Sequence, residues 1–290
     1  MRIRREPAVQ VKTRAQLEAM REAGLIVSRA LTVTAEAARP GVTTAELDAI
    51  AERLISEAGA TASFKGYHGY PATICTSVNE EIVHGIPSPG RRLAAGDVIS
   101  IDCGAIVRGW HADAALTVGV GEISDELARL LAACERALWH GLTQARPGNR
   151  LTDISHAVET SARAAGNYGI VEEYVGHGIG SEMHMDPLVP NYGRPGRGPL
   201  LVPGMALAVE PMLVLGPRHT RLLDDGWTVV SADGMPSAHF EHTVAVTEDG
   251  PWVLTAEDGG RAGLASVTPA VEPAGRARSA AGTPAGGGER

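Results

Sequence analysis

The sequence of this 290-residue chain predicts a mixed α/β (α+β) domain, with two related halves around an antiparallel sheet. Three observations predict this fold class. Helical periodicity and strand-like runs both occur, segments of the first half recur in the same order in the second half, and acidic residues occupy matching positions in the two sets of strands.

Capping signals and apolar spacing predict three long helices. "TRAQ" at residue 13 and "TTAE" at residue 43 each place a threonine three residues before a glutamine or glutamate, which is the signature of a capping box. Apolar residues then recur every three or four positions, and Pro-Gly pairs end two of the runs. We therefore predict helices over residues 13–39, 43–59 and 124–146.

Strand-like segments and a change of composition near residue 261 predict the strands and the domain boundaries. From Arg261 onward the chain is mostly Ala, Gly, Pro, Ser and Arg, with almost nothing to bury. The strand-like regions are 95–120, 204–215 and 238–247. The predicted units are an N-terminal extension (1–12), a single domain (13–260, with halves roughly 13–121 and 122–256) and a disordered tail (261–290).

Net charge, apolar stretches and cysteine content indicate the kind of protein and its compartment. A net charge of −8 gives no reason to expect direct binding of nucleic acid. We find no apolar stretch long enough to span a bilayer and no signal peptide. The three cysteines are far apart, which fits a reducing compartment. We therefore expect a cytoplasmic protein that does not act at a membrane.

An internal repeat relates the two halves. "ARPGVTTAELDAIAE" at residue 38 matches "ARPGNRLTDISHAVE" at residue 145. "GDVISID" and "GMALAVE" align Asp102 with Glu210, and "HADAALTV" and "HFEHTVAV" align Asp113 with Glu241. Since a duplicated unit places equivalent residues around one pseudo-twofold axis, we expect these four acids to converge.

Strand geometry independently brings two of these acids together. If Arg108-Gly109 forms the tip of a hairpin, Asp102 lies opposite Ala115 and Asp113 lies diagonal to it on the same face. Any one of the four acids could be an exposed surface carboxylate. Four of them buried together would repel one another, and their pKa values would rise unless cations compensated. With a histidine they predict a hard, oxygen-rich site for two divalent ions, suited to Mn, Fe or Co.

Two histidines occur in "EEYVGHGIGSEMHMDP". His177 and His184 are seven residues apart with glycines between them, which is not the i, i+4 spacing of a zinc-binding helix. The residues alone leave open whether they are two ligands, a ligand and a catalyst, or neither. "EEIVHGI" and "EEYVGHGI" align His84 with His177 as counterparts in the repeat.

The ordered motifs of the chain resemble the type I methionine aminopeptidases of the bacterial kind. The resemblance covers residues 13–256 and rests on "GYHGYP", "NEEIVHGIPS", "SIDCGA", "GWHAD", "GHGIG…MHMDP", "VEPM", "DGWTV" and "FEHTVAVT". It implies the pita-bread fold of the creatinases and aminopeptidases, with 13–260 as the catalytic domain. It also implies a cofactor of two divalent metal ions (Co, Mn, Fe or Zn) and these ligands: Asp102, Asp113, His177, Glu210 and Glu241.

The resemblance further implies the reaction, which is removal of the initiator methionine from nascent proteins and peptides with a small second residue. A hydroxide that bridges the metals would attack the scissile carbonyl. The catalytic residues would be His84 at the scissile amide, His184 at the oxyanion and Glu210 as proton shuttle. Besides these two histidines, the substrate-binding residues would be Phe64, Tyr67, Tyr70, Cys75, Met183 and Trp227.

The expected partners are nascent N-termini near the ribosome. We expect the protein to be a monomer that binds neither nucleic acid directly nor a membrane. Two other functions compete with this one. A proline-specific aminopeptidase of the same fold would use the same five ligands, and a non-catalytic peptide- or ribosome-binding relative would keep the fold alone. "GYHGYP" and "VHGIP" favour methionine over proline, and the complete ligand set argues against the binding module.

Overall fold

A nine-stranded antiparallel sheet with two helix pairs and two small sheets makes up the fold, in a computed structural model that describes residues 9–268. Residues 1–8 of the predicted extension and 269–290 of the predicted tail lie outside that range. The helices are α1 (Arg14–Ala37), α2 (Thr44–Glu57), α3 (Asp125–Leu142), α4 (Leu151–Ala165) and α5 (Arg261–Val267). The strands are β1 (Thr61–Ala62), β2 (Ile74–Val78), β3 (Glu81–Val83), β4 (Val98–Val107), β5 (Trp110–Gly119), β6 (Gly169–Ile170), β7 (Gly176–Gly178), β8 (Met185–Val189), β9 (Ala206–Val209), β10 (Met212–Val214), β11 (Thr220–Leu222), β12 (Val229–Ser231), β13 (Ser237–His239), β14 (Glu241–Thr247) and β15 (Gly250–Val253).

Both predicted capping boxes are confirmed. The Thr13 N–H donates to Gln16 Oε1 at 2.7 Å, and the Gln16 N–H donates to Thr13 Oγ1 at 3.4 Å. Thr43 and Glu46 make the same reciprocal pair at the start of α2, at 2.7 and 3.3 Å. Each box satisfies main-chain donors that the first helical turn cannot pair internally, which fixes where the helix begins.

The predicted end of α3 is wrong. The helix stops at Leu142 instead of continuing to Arg146. Beyond it the Gln144 N–H donates to the carbonyl of Gly141, three residues back. Such bonds make tight turns in place of a further α-helical turn, and the Pro-Gly pair after them prevents any extension.

The prediction of disorder from residue 261 onward is wrong for Arg261–Val267, which form α5. The Asp258 carboxylate accepts hydrogen bonds from two main-chain N–H groups at the start of this helix. A side chain at Gly263 would collide with the ring of Trp139, so the glycine lets the helix approach α3 closely. A local cap and a small residue hold a segment that has few apolar side chains.

The order of strands in the large sheet confirms the predicted pair of related halves. The order is β1-β4-β5-β14-β9-β7-β8, with β2 also paired to β4 and β15 also paired to β14. β4 and β5 from the first half meet β14 and β9 from the second half. The two halves therefore join at the pair β5–β14, in the middle of the sheet.

The large sheet packs its helices against one face. In β4 the odd-numbered Ile99 and Ile101 belong to a buried cluster with Val27 of α1 and Leu47 of α2. Because side chains alternate along a strand, Asp102 lies on the opposite face. The second half builds an equivalent core, which includes Leu138, Ile154, Val244 and Val246.

The pairing of His84 with His177 as structural counterparts is wrong. His177 lies on β7, which pairs with β9, and the first-half strand that pairs with β4 in the same way is β2. His84 instead follows β3, which pairs with β12 in a separate three-stranded sheet. The short match "EEIVHGI" to "EEYVGHGI" therefore joins segments with different places in the fold, whereas the strands of the four acids do correspond.

At Gly24, helix α1 packs directly against the main chain at Leu254. A Cβ at Gly24 would lie 2.2 Å from the carbonyl oxygen of Leu254. We expect Gly24→Ala to lower the free energy of unfolding by about 1–3 kcal/mol in a urea titration, because the backbone must move to relieve the clash. Leu25→Ala, at a side chain that is 41% exposed, is the control. A more stable Gly24→Ala, as helix propensity alone predicts, would contradict the expected clash.

Candidate metal centre and substrate pocket

Three neighbouring strands gather three carboxylates around one alanine. As predicted, β4 and β5 pair so that Asp102 lies opposite Ala115 and Gly104 lies opposite Asp113. On the other side of β5, Glu241 of β14 also lies opposite Ala115. Since the alanine methyl is small, the three carboxylates have room to lean toward one another on the face away from the helices.

The second half adds an imidazole and a fourth carboxylate. His177 of β7 lies opposite Ala208 of β9, and Glu210 follows two residues later. His177 Nε2 is 3.6 Å from Glu210 Oε1. The Nδ1 of His177 is 3.0 Å from the carbonyl of Gly178, which can only accept, so Nδ1 carries the proton. Nε2 therefore presents a lone pair, the form that a metal ligand requires.

The acids of the centre carry strongly shifted pKa values. Burial, ahead of the effects of its neighbours, raises the pKa of Asp102 to about 6. Burial and the neighbouring acids raise the pKa values of Asp113 and Glu241 well above the ordinary range. Burial acts in the same direction on Glu210, but His239 and His177 outweigh it and lower the pKa of that carboxyl. Three acids of the cluster thus resist ionisation unless positive charge is added.

The donor atoms fit divalent cations. Asp102 Oδ1, Asp113 Oδ1 and Glu241 Oε1 are buried and have no hydrogen-bond partner among residues 9–268. Ligand atoms of Asp113, His177 and Glu241 all lie within 4.8 Å of one another. Carboxylate oxygens with one imidazole suit hard or borderline divalent ions, and bound cations would supply the missing partners.

Sequence reasoning missed His239 on β13. Its side chain is only 1% exposed, and its Nε2 lies 3.6 Å from Glu210 Oε2. Ligand atoms of Glu210, His239 and Glu241 form a second group within 4.8 Å. The signal was present in "HFEH", because alternation along an extended segment puts His239 on the same face as Glu241.

All thirteen predicted site residues line one cavity of about 300 Å³, together with His68. Its apolar end contains the buried cluster of Phe64, Tyr70, Cys75 and Met183, edged by Trp227. The remaining lining residues are Tyr67, His84, Asp102, Asp113, His177, His184, Glu210 and Glu241. The apolar end is thus continuous with the carboxylate cluster.

Directed hydrogen bonds and ring contacts hold the apolar end in place. The Tyr70 hydroxyl lies 3.1 Å from the Ile74 carbonyl and 3.0 Å from the Gly85 carbonyl, so it donates toward both. The rings of Tyr70 and Trp227 meet edge to face, with 5.1 Å between their centroids. With the tyrosine hydroxyl already paired, the pocket presents aromatic and sulfur surfaces to a ligand.

Two further histidines lie where the pocket meets the carboxylates. His184 Nδ1 is 2.9 Å from the Tyr67 hydroxyl, and its ring centroid is 4.3 Å from that of His177. Burial, followed by the effect of His177, lowers the pKa of His184 to about 4. Burial also lowers the pKa of His84, which stacks edge-on against Tyr174. Both histidines are therefore neutral near pH 7 and can donate hydrogen bonds without adding charge.

Residues 18–248 match the family model described as metallopeptidase family M24. The chain belongs to metallopeptidase family M24. This assignment confirms the predicted pita-bread fold. Together with the methionine aminopeptidases to which the chain is similar, it makes the chain a metal-dependent hydrolase of the aminopeptidase kind. Divalent metal use, which the buried donor atoms favour, is a property of the family.

Similar proteins confirm the resemblance that the motifs predict. The chain is 54% identical over 259 residues to methionine aminopeptidase 1 of Mycobacterium tuberculosis, covering 88% of this chain and 97% of the relative. The crystal structure of methionine aminopeptidase from Thermotoga maritima aligns with a TM-score of 0.85 at 39% identity, covering 86% of this chain and all of that one. Prolidase from Pyrococcus furiosus, at 23% identity and a TM-score of 0.69 over 85% of this chain and 65% of that one, shares the M24 fold alone.

No helix within residues 9–268 has the length and apolar character needed to cross a membrane.

Proposed function

We propose that this chain removes the N-terminal methionine from nascent proteins and peptides, with two divalent cations bound per chain and a preference for a small second residue. One observation carries the proposal. The pocket of aromatic and sulfur side chains opens directly onto the carboxylate cluster within a single cavity. We further propose that the enzyme acts in the cytoplasm as a monomer, close to the ribosome and without direct contact to nucleic acid.

The apolar end suits a thioether side chain. Sulfur is polarisable and makes favourable contacts with ring edges, which Phe64, Tyr70 and Trp227 supply. The unbranched methionine side chain can follow an irregular cavity that a β-branched side chain would not fill. With the side chain there, the α-amino group and the scissile amide would lie toward the carboxylate cluster.

Five residues would hold the cations: Asp102, Asp113, His177, Glu210 and Glu241. Cations in such a site lower the pKa of a coordinated water and polarise the scissile carbonyl. Asp113 and Glu241 would be the ligands shared by the two ions. In support, Glu241 has ligand atoms in both compact groups of the centre, and Asp113 belongs to one of them. Glu210 lies among imidazoles that lower its pKa and keep its carboxylate ionised. The ionised carboxylate would accept the proton of the attacking water and return it to the leaving amine.

His184 and His84 would act on the substrate. When the Tyr67 hydroxyl donates to Nδ1 of His184, the ring proton lies on Nε2. This N–H can then donate to the carbonyl oxygen as negative charge develops there. His84 lines the same cavity and would contact the scissile amide. Neither histidine needs to be charged, which agrees with their lowered pKa values.

Peptide selectivity tests the proposal against a proline-specific peptidase. With Mn²⁺ or Co²⁺ added, we expect hydrolysis of Met-Ala-Ser and no detectable hydrolysis of Ala-Pro-Ser. Norleucine-Ala-Ser, which replaces the sulfur by a methylene, should show a kcat/KM lower by about 2- to 10-fold, corresponding to loss of the sulfur–aromatic contacts. Met-Leu-Ser, with a large second residue, should react more slowly than Met-Ala-Ser.

Two outcomes would overturn the proposal. Cleavage of Ala-Pro-Ser alone would assign the pocket to proline-specific chemistry. A protein that binds metal and cleaves neither peptide, while retaining affinity for methionyl peptides, would be a binding module.

A further inference from the structure

We propose that His239 is a positioning residue that donates a hydrogen bond to Glu210 and sets which carboxylate oxygen faces a bound cation. The inference rests on the proposed function, in which Glu210 is both ligand and proton shuttle. The structure places Glu210 between two imidazoles: His177 Nε2 lies 3.6 Å from Oε1, and His239 Nε2 lies 3.6 Å from Oε2.

The two imidazoles differ in which nitrogen can carry the proton. The carbonyl of Gly178 takes the Nδ1–H of His177, so the Nε2 of that ring is a lone-pair donor. His239 Nε2 is buried and has no hydrogen-bond partner within residues 9–268. An unprotonated nitrogen there would face a carboxylate lone pair, so an N–H is the favourable form. A shift of about 0.7 Å brings this N–H to an ordinary hydrogen-bond distance of about 2.9 Å from Oε2.

The main chain of His239 is fixed in a way that keeps its ring in place. The His239 N–H donates to Thr117 Oγ1 at 2.9 Å, and the Thr117 hydroxyl donates to the His239 carbonyl at 2.7 Å. Thr117 also contacts the Ser100 hydroxyl at 2.8 Å. β10, which begins just after Glu210, pairs its Met212 with His239. The ring therefore lies on the strand that pairs with β10, directly beside the segment that carries the carboxylate.

A threonine anchor of the same kind occurs at a predicted metal ligand. The Asp113 N–H donates to Thr243 Oγ1 at 3.0 Å, and the Thr243 hydroxyl donates to the Asp113 carbonyl at 2.7 Å. The fold thus fixes His239 by the same reciprocal threonine contact that fixes Asp113. With Oε2 held by His239, Oε1 is the oxygen left to share a cation with His177.

Substitutions at His239 distinguish a side chain that donates a hydrogen bond to Glu210 from one that only fills space or binds the metal itself. We expect His239→Leu, which fills the space without a donor, to weaken cobalt binding to the full-length protein by about 10- to 100-fold. His239→Asn should weaken binding similarly, because its amide reaches only as far as Nδ1 of the histidine ring. His239→Gln should restore affinity to within about threefold, because its amide N–H reaches the position of Nε2.

Cobalt titration by calorimetry and visible absorption is the measurement, with melting of the metal-free protein as the check on folding. His242→Gln is the matched control, since this histidine lies on the other face of β14 against Thr255 and should leave cobalt affinity unchanged. Thr117→Val should weaken affinity in the wild type and add little in His239→Leu, as expected for residues that act in one chain of contacts.

Steady-state kinetics gives a second readout. Losing the donor should lower kcat for Met-Ala-Ser and leave KM nearly unchanged, because the methionine pocket is untouched. The proposal is overturned if His239→Gln binds cobalt as weakly as His239→Leu, which would make the imidazole itself a ligand. It is equally overturned if both His239→Leu and His239→Asn bind cobalt as the wild type does. A wild-type protein that binds cobalt but cleaves none of the peptides would instead count against the proposed function.

Discussion

His184→Ala is expected to bind two divalent cations and to hydrolyse Met-Ala-Ser about 10²- to 10³-fold more slowly than the wild type, the usual cost of losing one oxyanion donor. His177→Ala is expected to lose one of the two cations. The two rings are only 4.3 Å apart at their centroids, yet their bonding is opposite. His177 directs Nδ1 to a main-chain carbonyl and shares a compact set of ligand atoms with two carboxylates.

His184 belongs to no such set within residues 9–268, and its Nδ1 contacts the Tyr67 hydroxyl instead. Its loss should therefore spare the metals and remove a donor that faces the substrate. The measurement is metal content after loading and desalting, together with kcat for each variant. His156→Gln on the surface of α4 is the control. If His177→Ala kept both ions and the full rate, the assignment of ligand and catalyst would be wrong.

Local physical chemistry made much of this site predictable. The hairpin tip and the alternation of side chains placed Asp102 and Asp113 correctly, because strand register depends on a turn and a period of two. The capping boxes fixed the starts of α1 and α2 for a similarly local reason. The repeat then added Glu210 and Glu241, since equivalent strands of a duplicated unit meet at its axis.

The failures arose where long-range contacts decide the structure. His84 and His177 share a short sequence match, but their strands pair with different sheets, which a window of eight residues does not encode. Alternation in "HFEH" puts His239 on the face of Glu241, but its position beside Glu210 depends on the pairing of β13 with β10. α5 exists because one carboxylate caps it and a glycine fits against Trp139, a contact between distant segments.

Metal removal is expected to abolish hydrolysis and to destabilise the protein more at pH 7.5 than at pH 5.5. Burial raises the pKa of Asp102 to about 6, and raises those of Asp113 and Glu241 well above their ordinary values. The metal-free folded state therefore holds protons that the unfolded chain has already released. A folded-state pKa above the unfolded value contributes stability that is present at low pH and is lost as the pH rises through the folded-state pKa.

Bound cations replace those protons, so metal affinity should rise with pH. From pH 5.5 to 7.5, deprotonation of Asp102 alone accounts for about a fourfold gain in affinity, and the other two carboxyls should add to it. The difference in melting temperature between metal-loaded and metal-free protein should widen over the same interval. Histidines with lowered pKa values, such as His84, lower stability at acidic pH in both forms and largely cancel from this difference.

Calorimetry of metal binding at pH 6.0 in two buffers of different ionisation enthalpy counts the protons released. We expect release from the wild type and a smaller release from Asp102→Asn, which keeps the shape of the side chain but has no carboxyl proton to lose. A melting-temperature difference that stayed constant or narrowed as the pH rose would show that the carboxyls are already ionised without metal. In that case contacts within the protein, and not the cations, would compensate the charge of the four buried acids.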